Sequence, residues 1–152
     1  MPLDVELSTE PFSPGDLLEA FVRGRPSDGA VVSFIGLARG QGRDGDAVTR
    51  LRLDWYPAMT ERSMFDIARA AQERFDVSDI LVRHRCGELS PEEPIVLVAA
   101  ASPHRREAFL AADYLMDRLK TEAAFWKREY KAGGATWIEP SAADRADLAR
   151  WS

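Results

Sequence analysis

The 152-residue chain has one cysteine, Cys86, and two histidines, His84 and His104. One thiol cannot close an internal disulfide, and so few soft ligands leave no zinc or iron spacing, so neither a disulfide scaffold nor a metal or other cofactor is expected. No run of about 18 apolar residues occurs, which argues against a transmembrane helix. The opening MPLDVELSTEPF lacks the basic start and apolar centre of a signal peptide, and a cytoplasmic location is expected. Positive charge is also in short supply, with Lys+Arg 20 against Asp+Glu 25 and a net charge of -5. That balance excludes a general nucleic-acid or anionic-membrane binder, so any anion site must be local. The glycines of GLARGQG fit neither the P-loop nor the dinucleotide fingerprint, and no Ser-His-Asp order suggests a triad.

What the chain has is a hydrophobic fraction of 45%, enough for one globular domain over 1–152 without repeat or linker. Leu3, Val5 and Leu7 alternate as a short strand, and Ser13-Pro14 opens a short helix. GAVVSFIGLARG predicts a strand from Ala30 to about Leu37, followed by a mobile glycine-rich loop and a second strand in AVTRLRLDWY, a hairpin-like pair. Met64, Ile67, Ala68, Ala71 and Phe75 recur at helical spacing over 59–75. DILVRHRC reads as a strand, GELSPEEP as a turn, and IVLVAAA as a strand buried on both faces. A long helix, a short strand in TWIEP and a polar helix from about Ser141 complete the chain. The order predicts an α+β fold, a mixed antiparallel sheet with helices mainly on one face.

The long helix poses the chemical question. Ser102 as cap and Pro103 at the first helical position put His104 and Arg105 in the first turn, where the helix dipole disfavours cations. A bound phosphate or carboxylate would gain from both the cations and the free N–H groups there. The alternative is that the arginines reach acidic partners elsewhere on the surface. On a helical wheel Arg105, Phe109, Ala112, Met116 and Lys120 form one stripe, and a continuing helix would return Lys127 to nearly the same face. Two lysines close together beside aromatic and thioether groups repel and are desolvated, and both effects favour the neutral amine needed for proton transfer or attack. Snorkelling, with the stems packed and the ammonium groups in water, is the competing explanation.

Arg39 ends the strongest strand and opens the glycine loop, a position suited either to a site or to a solvated arginine. His84 alternates with Val82 and Cys86 and reads as a hydrogen-bonded structural histidine, and Cys86 as a small packing group.

Taken together, GAVVSFIGLAR, WYPAMTE, HRCGEL, SPHRREAF and MDRLKTEAAFWKRE resemble the catalytic large-subunit family of molybdopterin synthase over about Gly29 to Trp137. The resemblance implies an α/β hammerhead fold and a homodimer carrying a ubiquitin-like small subunit at each end, a heterotetramer. The small subunit's C-terminal thiocarboxylate enters the large subunit and gives sulfur to cyclic pyranopterin monophosphate (precursor Z), forming the molybdopterin dithiolene. It also implies roles for individual residues. Lys120 and Lys127 match the family's catalytic lysines, Lys120 as general acid/base that orients the thiocarboxylate carbonyl, with a transient covalent link left open. Arg39, His104 and Arg105 match anion- and substrate-binding positions; Phe34, Met116 and Trp126 wall the pocket, and Glu129 supports a cation.

Two departures stand out. TWIEPS lacks the basic residue that some relatives bring from the C-terminal segment of the second subunit, and Leu37 replaces a lysine found in others. The alternative functions are a non-catalytic module that binds a ubiquitin-like tail in a basic groove, and a Schiff-base enzyme acting without a protein partner.

Overall fold

The computed structural model describes residues 3–152, so Met1 and Pro2 of the expected 1–152 domain lie outside the described residues. Its centre is β6 (Pro94–Ser102), whose residues from Val96 onward are all buried. Their alternation serves two cores at once: Val96, Val98 and Ala100 face one cluster, and Leu97, Ala99 and Ala101 face the other. β6 pairs antiparallel with β2 (Ala30–Leu37) on one side and with β4 (Asp79–Arg85) on the other. β1 (Leu3–Ser8) adds to β4 in parallel, giving a sheet of order β1-β4-β6-β2.

Two amphipathic helices, α2 (Met59–Arg74) and α3 (Arg105–Glu122), cover one face of this sheet through Met64, Ile67, Ala111 and Leu115. The short α1 (Pro14–Val22), capped by Ser13, lays Phe21 and Leu17 on the opposite face. The helices thus sit mainly on one face, and the fold is α+β.

A second four-stranded sheet, order β5-β3-β7-β8, is built from β3 (Arg50–Trp55), β5 (Gly87–Leu89), β7 (Phe125–Lys131) and β8 (Gly134–Ile138). Three local expectations change here. The predicted β2–β3 hairpin does not form; β2 ends beside β6 and β3 pairs with β5 and β7, leaving the isolated Gln41–Ala47 bridge within the connecting loop. Part of the predicted GELSPEEP turn is strand, since Leu89 pairs with Leu51 and is almost fully buried. The long helix does not continue to Lys127. It stops at Glu122, and the chain re-enters as β7, with Lys127 opposite Leu53 on one side and Ile138 on the other. No glycine or proline marks that end. Thr60 fixes it from afar: its hydroxyl donates to the Ala124 carbonyl at 2.7 Å and accepts from the Tyr56 N–H at 2.9 Å.

The last helix, α4 (Ala142–Ala149), begins where the sequence placed it, with Ser141 and Asp144 forming a reciprocal capping box.

Candidate functional site

Where the edge strand β2 and the end of α3 meet the second sheet there is a cavity of about 470 Å³. Each element delivers particular side chains. β2 contributes Phe34, and Gly36 at its bulged end lies so close to β6 that an added Cβ would meet Val96 Cγ1 at 2.6 Å. The loop after β2 supplies Arg39 and Arg43, the last turns of α3 supply Met116 and Lys120, and residues Ile138 to Pro140 with Asp144 close the far rim.

The change from helix to strand after Glu122 decides what β7 contributes. Successive strand side chains point to opposite faces. Phe125, Lys127 and Glu129 therefore face the cavity, while Trp126 lies on the other face and meets Tyr56 edge-on at 4.8 Å. Trp126 is not part of the cavity wall. His104 and Arg105 do not reach it either. Arg105 precedes Lys120 by fifteen helical residues, about 22 Å along the axis, and lines a separate hollow with Gly29, Pro103, His104 and Arg106. The helix cap is also shifted from expectation: His104, not Ser102, is the N-cap residue, and the buried Ser102 hydroxyl accepts from the His104 N–H at 3.1 Å. The structure thus brings together Lys120, Lys127, Arg39, Phe34, Met116 and Glu129 of the expected residues, and leaves out Trp126, His104 and Arg105.

Most cations of the site, and the arginines at the start of α3, lack the carboxylate partners that would make them ordinary surface charges. Among the described residues no carboxylate lies within 4.0 Å of Arg39, Arg43, Arg105, Arg106 or Lys127, so none of the two helix-start arginines is explained by an ion pair; Lys120 approaches Asp144 at 3.9 Å. Burial, together with the charges of Lys120, Arg43 and Arg39, holds the Lys127 ammonium below the usual lysine range, against the opposing pull of Glu129. Glu129 is only 6% exposed, and its Oε1 has no hydrogen-bond partner in the protein. A cavity holding three other cations and a destabilised ammonium can bind an anion and exchange a proton with it.

Burial also pushes His84 at the cavity floor down to about 4, so it is neutral at physiological pH. Its Nδ1–H donates to the Arg85 carbonyl at 2.7 Å and its ring stacks on Phe125 at 4.1 Å, which are structural tasks. Cys86 is 1% exposed, with burial raising its thiol pKa, and is not a nucleophile presented to the cavity. No cluster of three or more His, Cys, Asp or Glu side chains suited to a metal exists among the described residues.

Sequence reasoning missed Arg43 and Asp144. Arg43 stands in a loop read only as mobile, yet its guanidinium donates to the Glu139 carbonyl at 2.8 Å and ties that loop to the far rim. Asp144 is readable in sequence as a helix-capping residue, a role that hides its second exposure to the cavity.

Comparisons with known proteins agree on one family. The family described as "MoaE protein" matches residues 7–122. A molybdopterin synthase catalytic subunit from Caulobacter vibrioides is 49% identical over 147 residues, covering 97% of this chain and 96% of the relative. Among solved structures, a molybdopterin biosynthesis MoaE protein from Burkholderia ambifaria superposes with a TM-score of 0.82 at 35% identity, covering 99% of this chain and 98% of that one. Molybdopterin synthase from Staphylococcus aureus superposes with a TM-score of 0.79 at 29% identity, covering 88% and 96%.

Proposed function

The chain belongs to the MoaE family, and from that premise we propose that it is the catalytic subunit of molybdopterin synthase, a sulfurtransferase. It takes sulfur from the C-terminal thiocarboxylate of a ubiquitin-like small subunit and builds the dithiolene of molybdopterin on cyclic pyranopterin monophosphate. The observation that carries this reading is the convergence of Lys120 and Lys127 from different elements on one cation-lined cavity. Such a cavity suits an anionic tail and a phosphorylated substrate. The absence of a reactive thiol fits as well: Cys86 is buried, and the sulfur arrives already activated on the partner.

Within the cavity Lys120, 55% exposed, is the group positioned to meet an entering tail; it orients the thiocarboxylate carbonyl and exchanges protons as general acid/base. Lys127, deeper and with its pKa lowered by burial, stabilises the negative charge that develops. Arg39 holds an anionic group of tail or substrate, Phe34 and Met116 wall the pterin, and Glu129 balances Lys127. With small subunit and precursor saturating, Lys120→Ala should lower the single-turnover rate of dithiolene formation by at least about 100-fold. An unchanged rate would remove Lys120 from the chemistry.

The protein works in the cytoplasm as a homodimer flanked by two small subunits. The unpaired cations at the start of α3 fit that assembly. They are about 22 Å from Lys120 in their own chain, while β2 is an edge strand that leaves Phe34, Ile35 and Leu37 between 40% and 56% exposed beside the cavity. A second copy docked at this edge covers the apolar side chains and brings its own His104 and Arg105 to the cavity, where they hold the substrate phosphate. The tail-binding module without catalysis predicts that Lys120→Arg leaves function intact, which the same rate measurement decides.

A further inference from the structure

We propose that Asp144 is a positioning residue for Lys120: its carboxylate, held on the capped start of α4, fixes where the lysine ammonium stands at the cavity mouth. This rests on the assignment of Lys120 to the chemistry and goes beyond it by naming the group through which the last helix serves the reaction.

The two oxygens of Asp144 have different tasks. Oδ2 accepts from the backbone N–H of Ser141 at 2.9 Å, which holds the side chain in one orientation, while the Asp144 N–H donates to the Ser141 hydroxyl at 3.1 Å and completes the helix cap. Oδ1 is left facing Lys120 Nζ at 3.9 Å, and the carboxylate side chain is only 19% exposed. Lys120 needs such a partner. It lies in the last turn of α3, its side chain is 55% exposed, and its four-carbon stem would otherwise sample many positions in water.

α4 is in turn fixed to the helix that carries the lysine. Trp151 Nε1 and Arg150 Nη2 both donate to Asp117 Oδ2 at 2.7 Å, one turn before Lys120, and Arg74 Nη1 donates to the Trp151 carbonyl at 2.8 Å. Asp144 and Arg150 are six helical residues apart, about 9 Å, so α4 spans the last turns of α3 with its capped end at the lysine. Burial raises the Asp144 pKa, but the hydrogen bonds with Ser141 and the charges of Lys120 and Arg43 outweigh it and hold the carboxyl below the usual range, so it faces the lysine as an anion. A pair this open adds little to stability, which leaves placement as its effect.

A purely structural reading makes Asp144 the third residue of a capping box and nothing more. Two substitutions separate the readings. Asp144→Asn keeps an oxygen that can accept from Ser141 and removes the charge, whereas Ser141→Ala weakens the cap and keeps the charge. In single-turnover assays with thiocarboxylated small subunit and precursor, Asp144→Asn should lower the maximal rate by about tenfold with half-saturation within about twofold of the parent. Ser141→Ala should stay within about twofold of the parent in rate while showing the larger loss of thermal stability. In a Lys120→Ala background Asp144→Asn should change the residual rate by less than about twofold, because it acts through the lysine.

In protein carrying ¹³C-methylated lysines, the Lys120 resonance should move in Asp144→Asn and not in Ser141→Ala. That readout needs neither substrate nor activity, so it tests the pair even if the proposed reaction fails. A parent-like rate in Asp144→Asn, an equal loss in Ser141→Ala, a further loss in the Lys120→Ala background, or an unmoved Lys120 resonance would each overturn the proposal.

Discussion

His84, partly buried at the cavity, shows how one desolvated side chain sets a pH response. Desolvation holds it at about 4 in the folded protein, below the ordinary 6.5 of an exposed histidine, so between those values the unfolded chain binds a proton that the folded chain refuses. Its neutral form is therefore compatible with full stability above about 6.5, and stability falls as the pH drops toward 4. Urea titrations at pH 7.5 and pH 5 should differ by up to roughly 2 kcal/mol from this group, and His84→Gln should show a correspondingly flatter dependence. Sequence alternation with Val82 had already suggested a structural histidine. The stacking on Phe125 could not be read from it, because the two residues come from different sheets.

At the scale of elements, the decisive event is the change from α3 to β7. Ala123 and Ala124 carry no helix-stop residue, and the helical wheel continued past them without contradiction. A local hint did exist, since Phe125, Trp126 and Tyr130 favour strands. What enforces the change is Thr60, fully buried on α2, which satisfies the Tyr56 N–H and the Ala124 carbonyl together, while Ser63 accepts from the Ala124 N–H at 3.2 Å. Thr60→Val keeps the shape and removes both bonds. It should destabilise the fold by about 1–3 kcal/mol in denaturant titrations and lower the synthase rate, because β7 carries Lys127. Had the helix continued, Trp126 and Lys127 would have lain about 100° apart; on a strand they face opposite ways, which is why only one of them reaches the cavity.

For the whole molecule, the proposed homodimer, in which the α3 start of one copy completes the cavity of the other, would make activity a property of the pair. Lys120→Ala and Arg105→Ala variants should each be nearly inactive as homodimers. Mixed in equal amounts and allowed to exchange, they should recover about a quarter of the parental rate, because half of the dimers are mixed and each of these has one unaltered cavity. No recovery would place Arg105 outside the partner's site. Arg105→Ala alone should weaken substrate binding while leaving thermal stability within about 0.5 kcal/mol, since its side chain is exposed and unpaired among the described residues.

The sequence by itself determined the strongly patterned elements: the β2 strand at Ala30–Leu37, the doubly buried β6, the amphipathic α2 and the capped α4. It also supplied the inventory of cations, the lack of a reactive thiol and the family to which the motifs belong. Hydrophobic period is a local record of which face is buried, so it can specify these features without knowledge of neighbours. Tertiary structure decided which strands pair, where α3 ends, that Lys127 meets Lys120 from a strand, that Trp126 turns away, and that Arg43 and Asp144 join the site. Each of those outcomes depends on hydrogen bonds and packing between segments far apart in the chain. The same period 3.6 or 2 is compatible with several such partners, and only the assembled core selects one.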